Sequence, residues 1–108
     1  MSRRVSLRKT RLQYGSDLLL EAGELAILKA LVEVKKGWII NADLRGIYYD
    51  AERGGKAGDY ERTMKALQLY LFHRKIFICK GLHDYWMVKI CVDDPAISTQ
   101  LQNWGLMK

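Results

Sequence analysis

Between residues 21 and 36 the apolar side chains recur with the period of an α-helix. Leu25, Leu28 and Val32 follow the i, i+3, i+7 spacing of one helix face. Three further apolar residues widen that stripe: Ile27, Leu31 and Val34. Because so wide a stripe must be covered on most of its sides, the pattern predicts a largely buried helix with other elements packed around it.

The length and composition of the chain limit the classes of protein to which it can belong. Its 108 residues fit a single domain. No apolar run approaches the roughly 18 residues that span a bilayer, and no apolar segment follows the charged N-terminus as it would in a secretory signal. Two cysteines, Cys79 and Cys91, are too few for a disulfide framework and fit a reducing compartment. We therefore expect a soluble cytoplasmic protein that does not associate with a membrane.

Two more helices are predicted before residue 75. Asn41 is a typical N-cap for a helix over residues 42–51, and Asp59 is a typical N-cap for a third helix over residues 60–74. The period of the third helix predicts two faces. Its inward face holds Tyr60, Thr63, Met64, Leu67, Tyr70 and Leu71, and its outward face holds Arg62, Lys65, Leu69 and Phe72.

The C-terminal third of the chain predicts a β-hairpin followed by a short helix. Residues 76–80 and 85–92 are rich in β-branched and aromatic side chains, and the glycine-containing link between them has the length of a hairpin connection. Residues 38–40 are too short for a helix and are expected to form a brief strand or an extended link. Asp94 and Pro95 are typical of a helix start, and we expect the short terminal helix to pack back on the first helix.

The net charge of +6 is concentrated in two blocks. The first 12 residues hold five bases and no acid: Arg3, Arg4, Arg8, Lys9 and Arg11. Residues 53–80 hold seven bases against Asp59 and Glu61. Because clustered like charges repel one another, an anionic partner is expected, and nucleic acid is the most common such partner. For the N-terminal block, a solvated tail without a partner is the alternative.

The order of the predicted elements resembles the winged helix-turn-helix superfamily over about residues 21–92. The segments that carry the resemblance are ELAILKALVEVKKG, NADLRGIYYDAE, DYERTMKALQLYLFHRK and the hairpin IFICKGLHDYWMVKICV. The resemblance implies an α+β fold, with three helices and a hairpin wing over residues 17–94. A basic flexible arm at residues 1–16 precedes this domain, and the short helix at residues 95–108 follows it. The connection at residues 53–58 is longer than the tight turn of typical members.

In that superfamily the third helix usually enters the major groove of DNA. The resemblance thus implies that Arg62 reads a base edge, since its guanidinium matches the two acceptors of guanine, and that Lys65 contacts a phosphate. Further bases are expected on phosphates or along a groove: Lys56, Lys80, Arg3, Arg4, Arg8, Lys9 and Arg11. The leading interpretation is a protein that binds double-stranded DNA, either a transcriptional regulator or an accessory factor of replication or maintenance.

Two large apolar residues on the outward face of the third helix favour a second interpretation. Leu69 and Phe72 there indicate either an error in the helix phase or a partner that covers them. With Trp104 they would form a protein interface, in an adaptor or inhibitor of the kind that mobile elements use against host proteins, or in a homodimer. RNA binding through the arginine-rich arm is a third interpretation.

Residues with catalytic or metal-binding chemistry are few and scattered. His73 and His83 fall in different elements, and their spacing from Cys79 and Cys91 is unlike that of a standard zinc finger. The two cysteines are expected to be small buried hydrophobes on the two strands of the hairpin, which allows them to lie across from each other. The glycine-rich residues 53–58 lack the spacing of a phosphate-binding P-loop. We expect that the protein is not an enzyme and that it binds no cofactor, no metal and no small-molecule ligand.

Overall fold

A computed structural model of the protein describes residues 18–53 and 58–107. Within these ranges the fold is α+β, with four helices and a three-stranded antiparallel sheet. The helices are α1 (Ala22–Glu33), α2 (Asn41–Ala51), α3 (Tyr60–Phe72) and α4 (Pro95–Asn103). The strands are β1 (Ile39–Ile40), β2 (Ile76–Lys80) and β3 (Tyr85–Ile90). None of the helices in the described ranges is long and apolar enough to cross a membrane.

The sheet has the order β1-β3-β2, so β3 lies in the centre. The predicted hairpin is confirmed: β2 and β3 pair antiparallel from Ile76 opposite Ile90 to Lys80 opposite Trp86. Residues 82–84 form a short 3-10 turn between the two strands. The short early strand is confirmed as well, and it pairs with the other edge of β3 through Ile39 opposite Trp86. One edge of β2 therefore has no neighbouring strand among the described residues.

Helix α1 ends three residues earlier than its apolar period predicts. It begins with a capping box, in which the Glu24 carboxylate accepts a hydrogen bond from the Glu21 N–H at 3.0 Å. It ends at Glu33, because Val34 takes an extended conformation and the chain turns. Gly37 completes that turn with a φ of +85°, a left-handed conformation that glycine adopts without steric cost.

Helices α1 and α2 approach each other closely at Gly23. The Gly23 N–H donates a hydrogen bond to Oε2 of Glu52 at 2.8 Å. A Cβ atom at this position would lie 2.6 Å from the ring of Tyr48, so any side chain would push the two helices apart. The absence of a side chain at residue 23 thus allows the close packing of α1 on α2.

The prediction that Asn41 caps α2 is wrong. Ile40 occupies the N-cap position, and Asn41 is the first residue of the helix. Its buried Oδ1 atom accepts two hydrogen bonds, from the Tyr60 hydroxyl at 3.0 Å and from Nε1 of Trp86 at 2.8 Å. Burial raises the pKa of Tyr60, which keeps that hydroxyl a donor. Asn41 is buried in the core because two buried donors there need an acceptor. Its two hydrogen bonds connect α2 to α3 and to β3.

The rotation of α3 follows the sequence prediction. Asp59 caps the helix as expected, accepting hydrogen bonds from the N–H groups of Glu61 and Arg62 at 2.9 and 3.4 Å. All six residues of the predicted inward face are buried. The helix ends at Phe72, two residues before the predicted end, and Lys75 then takes a left-handed conformation that leads into β2.

Helix α4 packs against the core beside Leu18. It starts as predicted, with Asp94 as the cap and Pro95 as the first helical residue, and it buries Ile97 and Leu101. Its Gln100 side chain accepts from the Leu18 N–H at 2.6 Å and donates to the Leu18 carbonyl at 2.7 Å. The terminal helix is therefore part of the same core.

Replacing Asn41 with alanine tests the importance of its carboxamide. The Asn41→Ala variant would leave Tyr60 and Trp86 with buried, unpaired donors, so we expect the free energy of unfolding to fall by about 2–4 kcal/mol. Urea denaturation followed by circular dichroism measures this. Asn103→Ala, at an exposed position, is the matched control and should change stability by less than about 0.5 kcal/mol. Equal stabilities of the two variants would contradict the assignment.

Candidate nucleic-acid interface

The outward face of α3 carries a basic half and an apolar half. Arg62 and Lys65, in its N-terminal half, are exposed. Leu69 and Phe72 follow on the same face and are 63% and 51% exposed. The helix phase predicted from the sequence is therefore correct, and the exposure of these two apolar residues is a property of the surface. From Arg62 to Phe72 this face is about 15 Å long.

Arg62 and Lys65 differ in their ion pairing from Arg45, Arg53 and Lys80. Ion pairs join Arg45 with Glu61 (2.8 Å), Arg53 with Asp50 (2.5 Å) and Lys80 with Asp84 (2.7 Å). Neither Arg62 nor Lys65 forms an ion pair with any acid in the part of the chain that the structure describes. Their charges remain available to an anionic ligand, whereas the charges of the three paired bases are partly compensated.

The hairpin turn presents little positive charge. Lys80, which the sequence suggested for a phosphate, pairs with Asp84 and lies 5.8 Å from the ring centroid of Trp86. His83 and Asp84 both have left-handed backbone conformations, which are uncommon outside glycine. Leu82 is 80% exposed at the tip. The turn therefore exposes one apolar side chain beside His83 and Asp84, and Lys80 is already paired with Asp84.

The N-terminus of α3 is occupied by the protein itself. The Asp59 carboxylate accepts hydrogen bonds from the N–H groups of two residues in the first turn, so a phosphate at this end would meet a carboxylate of like charge. Lys56, which the sequence suggested for a phosphate here, lies outside the described residues. So do the bases of the N-terminal arm, Arg3, Arg4, Arg8, Lys9 and Arg11, and their convergence on α3 stays a prediction.

An apolar groove of about 380 Å³ lies between α3 and β2. It is lined by Lys65, Gln68, Leu69, Phe72, Phe77, Ile78 and Cys79. The rings of Phe72 and Phe77 pack edge to face, with centroids 5.6 Å apart. The sequence predicted the helix side of this groove and missed the strand side. The alternation of β2 contained the missing signal, because burying Ile76 and Ile78 turns Phe77 and Cys79 outward.

The prediction of two buried cysteines facing each other is wrong. Cys79 and Cys91 are both free and exposed. Cys79 lies opposite Met87 in the sheet, and the Cys91 N–H donates to the carbonyl of Lys75 beyond the end of β3. The isoleucines of β2 take the inward positions, so the thiol of Cys79 faces solvent. The described residues contain no cluster of three metal-ligating side chains.

A cluster of ring contacts beside the hairpin was also missed from the sequence. The rings of Trp38 and Tyr85 lie 4.9 Å apart, and the Lys36 ammonium lies 4.0 Å above the Trp38 ring. His83 stacks on Tyr85, with centroids 6.4 Å apart. Finding this cluster requires the pairing of β1 with β3, which joins residues more than 40 positions apart.

Comparison of the chain with protein-family models, with curated proteins and with solved structures gave no significant match.

The exposure of both cysteines can be measured directly. We expect a short pulse of iodoacetamide to label Cys79 and Cys91 of the native protein within about tenfold of the rate for the urea-unfolded chain, since thiol reactivity follows exposure. Mass spectrometry of the digested protein separates the two sites. Native labelling that is slower by orders of magnitude at either site would contradict the structure there.

Proposed function

We propose that this chain is a winged-helix protein that binds double-stranded DNA with the N-terminal half of α3. The observation that carries the proposal is the exposure of Arg62 and Lys65 on one face of a helix, with no ion pair to a described acid. Polyanions bind to such uncompensated cations through the release of counterions. A regulator of transcription or an accessory factor of replication or maintenance is the kind of protein that we infer, acting without catalysis in the cytoplasm.

The order of the elements supports the winged-helix part of the proposal. Helix α3 follows α2 as the last helix before the hairpin, and β1 joins the hairpin in the order β1-β3-β2. This arrangement suits a domain that presents its last helix before the hairpin to DNA and uses the hairpin as a wing. The buried carboxamide of Asn41, bonded to Tyr60 and Trp86, ties α3 to β3.

The two bases of α3 suit different contacts. In helix-turn-helix proteins, base edges are read by residues near the N-terminus of the recognition helix. Arg62 is the third residue of α3, and its forked guanidinium matches the two acceptors of guanine. Lys65 lies about 4.5 Å further along the helix axis and suits a point contact with phosphate. The apolar residues Leu69 and Phe72 lie about 10–15 Å beyond Arg62, near the limit of a major groove about 12 Å wide.

Arginine and lysine substitutions on α3 test the proposed DNA contacts. A duplex selected from a random pool serves as the specific site, and fluorescence anisotropy measures its affinity. We expect Arg62→Ala to weaken that site by about 1–3 kcal/mol and to relax the preference at one base pair. Lys65→Ala should weaken specific and random duplexes alike.

The matched control for both variants is Lys35→Ala, which removes an exposed lysine from the turn after α1. Equal losses on selected and random DNA from Arg62→Ala would reassign Arg62 to a phosphate. The proposal itself fails if the unaltered chain binds no duplex at about 50 mM salt, where phosphate contacts are strong.

Removal of residues 1–12 tests the proposed role of the basic arm. These residues carry five bases, and each phosphate contact adds about 0.9 to the slope of log affinity against log salt concentration. We expect the deletion to lower that slope by up to about 4–5 and to weaken all duplexes alike. An unchanged slope, together with an unchanged free energy of unfolding, would show that the arm does not contact DNA.

A further inference from the structure

We infer that the groove between α3 and β2 is a docking site for an acidic amphipathic helix of a partner protein. This inference concerns the apolar half of the outward face of α3 and the neighbouring face of the sheet. It stands whether or not the basic half binds DNA.

The walls of the groove are apolar and open to solvent. Leu69 and Phe72 form the helix wall, and Phe77 and Cys79 form the strand wall. Met87 lies directly opposite Cys79 in the sheet and is 38% exposed, so it extends the apolar surface onto β3. A bound partner would cover these exposed apolar side chains and remove them from water.

A helix fits this groove better than an added strand does. Lys75 and Gly81 form backbone hydrogen bonds to the partner strand, so the N–H and C=O groups of the odd-numbered residues of β2 point toward β3. The N–H and C=O groups of the even-numbered residues therefore point toward the free edge of β2. At the centre of that edge the Gln68 side chain donates to the Ile78 carbonyl at 2.9 Å. Because this bond already uses the central acceptor, an added strand would have to displace Gln68. A helix satisfies its own backbone and needs only side-chain pockets.

The charge around the groove selects an acidic partner. Lys65 lines the groove, and Lys89 lies opposite Phe77 on the same face of the sheet. None of the lining residues is acidic. Acidic side chains flanking the apolar residues of a bound helix would complement these lysines. A second copy of this chain would instead bring like charges together across a two-fold axis, which is costly.

A displayed library of helical peptides tests the docking site and identifies the chemistry that it prefers. The library keeps a 16-residue helical scaffold and randomises one face, and the full chain is the immobilised target. We expect selection to enrich large apolar residues at i, i+3 or i+4 and i+7, flanked by Asp and Glu. Synthetic versions of the selected peptides are then measured by fluorescence anisotropy.

Substitutions in the groove should abolish this binding selectively. Leu69→Ser and Phe72→Ser should each weaken the selected peptides by about 30-fold or more, as expected for central residues of an interface. Leu82→Ser is the matched control, because it removes an even more exposed leucine outside the groove and should leave affinity unchanged. Lys65→Glu should shift selection from acidic to basic peptides. Thermal unfolding checks that every variant remains folded.

The two cysteines provide an internal measurement of position. Bound peptide should slow the alkylation of Cys79, which lines the groove, more than that of Cys91, which follows Lys89 on the same face of the sheet. An unprotected Cys79, or stronger protection of Cys91 than of Cys79, would place the peptide elsewhere and overturn the inference.

Three other results would also overturn it. If the selected peptides are not enriched in Asp and Glu, the groove does not prefer an acidic partner. A dimer in sedimentation equilibrium that dissociates on Phe72→Ser would identify a second copy as the occupant. Loss of duplex DNA affinity on Leu69→Ser and Phe72→Ser, with no effect of either on peptide binding, would assign this half of α3 to nucleic acid.

Discussion

Burial of one face of α3 fixes which of its residues meet solvent, and thereby what this surface can bind. Six side chains lock the rotation of the helix: Tyr60, Thr63, Met64, Leu67, Tyr70 and Leu71. A rotation by one position, about 100°, would turn the charge of Arg62 or of Lys65 toward the core, depending on its direction, and expose part of the core, at a large cost in free energy. The hydrophobic effect thus positions the exposed cations and the exposed apolar residues together, although neither group contributes to the core.

Two polar features then set the position of α3 and its neighbours in the fold. The Asn41 carboxamide accepts from Tyr60 at the start of α3 and from Trp86 in the central strand, and these directional bonds restrict how α3 lies on the sheet. At the other end of α2, Glu52 accepts from the backbone of Gly23 in α1. A short, directional hydrogen bond permits less sliding than an apolar contact does, so these bonds limit the movement of the helices against one another.

The sequence predicted the elements better than it predicted the contacts between distant residues. Periodicity alone gave the two faces of α3 and the hairpin, because both are set by neighbours within a few positions. Asn41 was misread as a cap, since its local context suits a helix start and its true partners lie 19 and 45 residues away. The groove was half predicted: the helix side follows from the period of α3, whereas the strand side depends on the packing of α3 against β2. The winged-helix assignment, and the positions of Lys56 and the arm, remain proposals.

Lys65 belongs to both proposed sites, and this has a thermodynamic consequence. It lies between Arg62 and the apolar half of α3, and it also lines the groove. An acidic helix in the groove would pair with the Lys65 ammonium that the DNA proposal assigns to a phosphate. It would also place carboxylates close to the path of the DNA backbone, where like charges repel. Under the two proposals the ligands therefore oppose each other, and by linkage each lowers the affinity of the other by the same factor. Because the two proposed sites overlap on one helix face about 15 Å long, the concentration of a partner protein would control DNA binding without a separate effector domain.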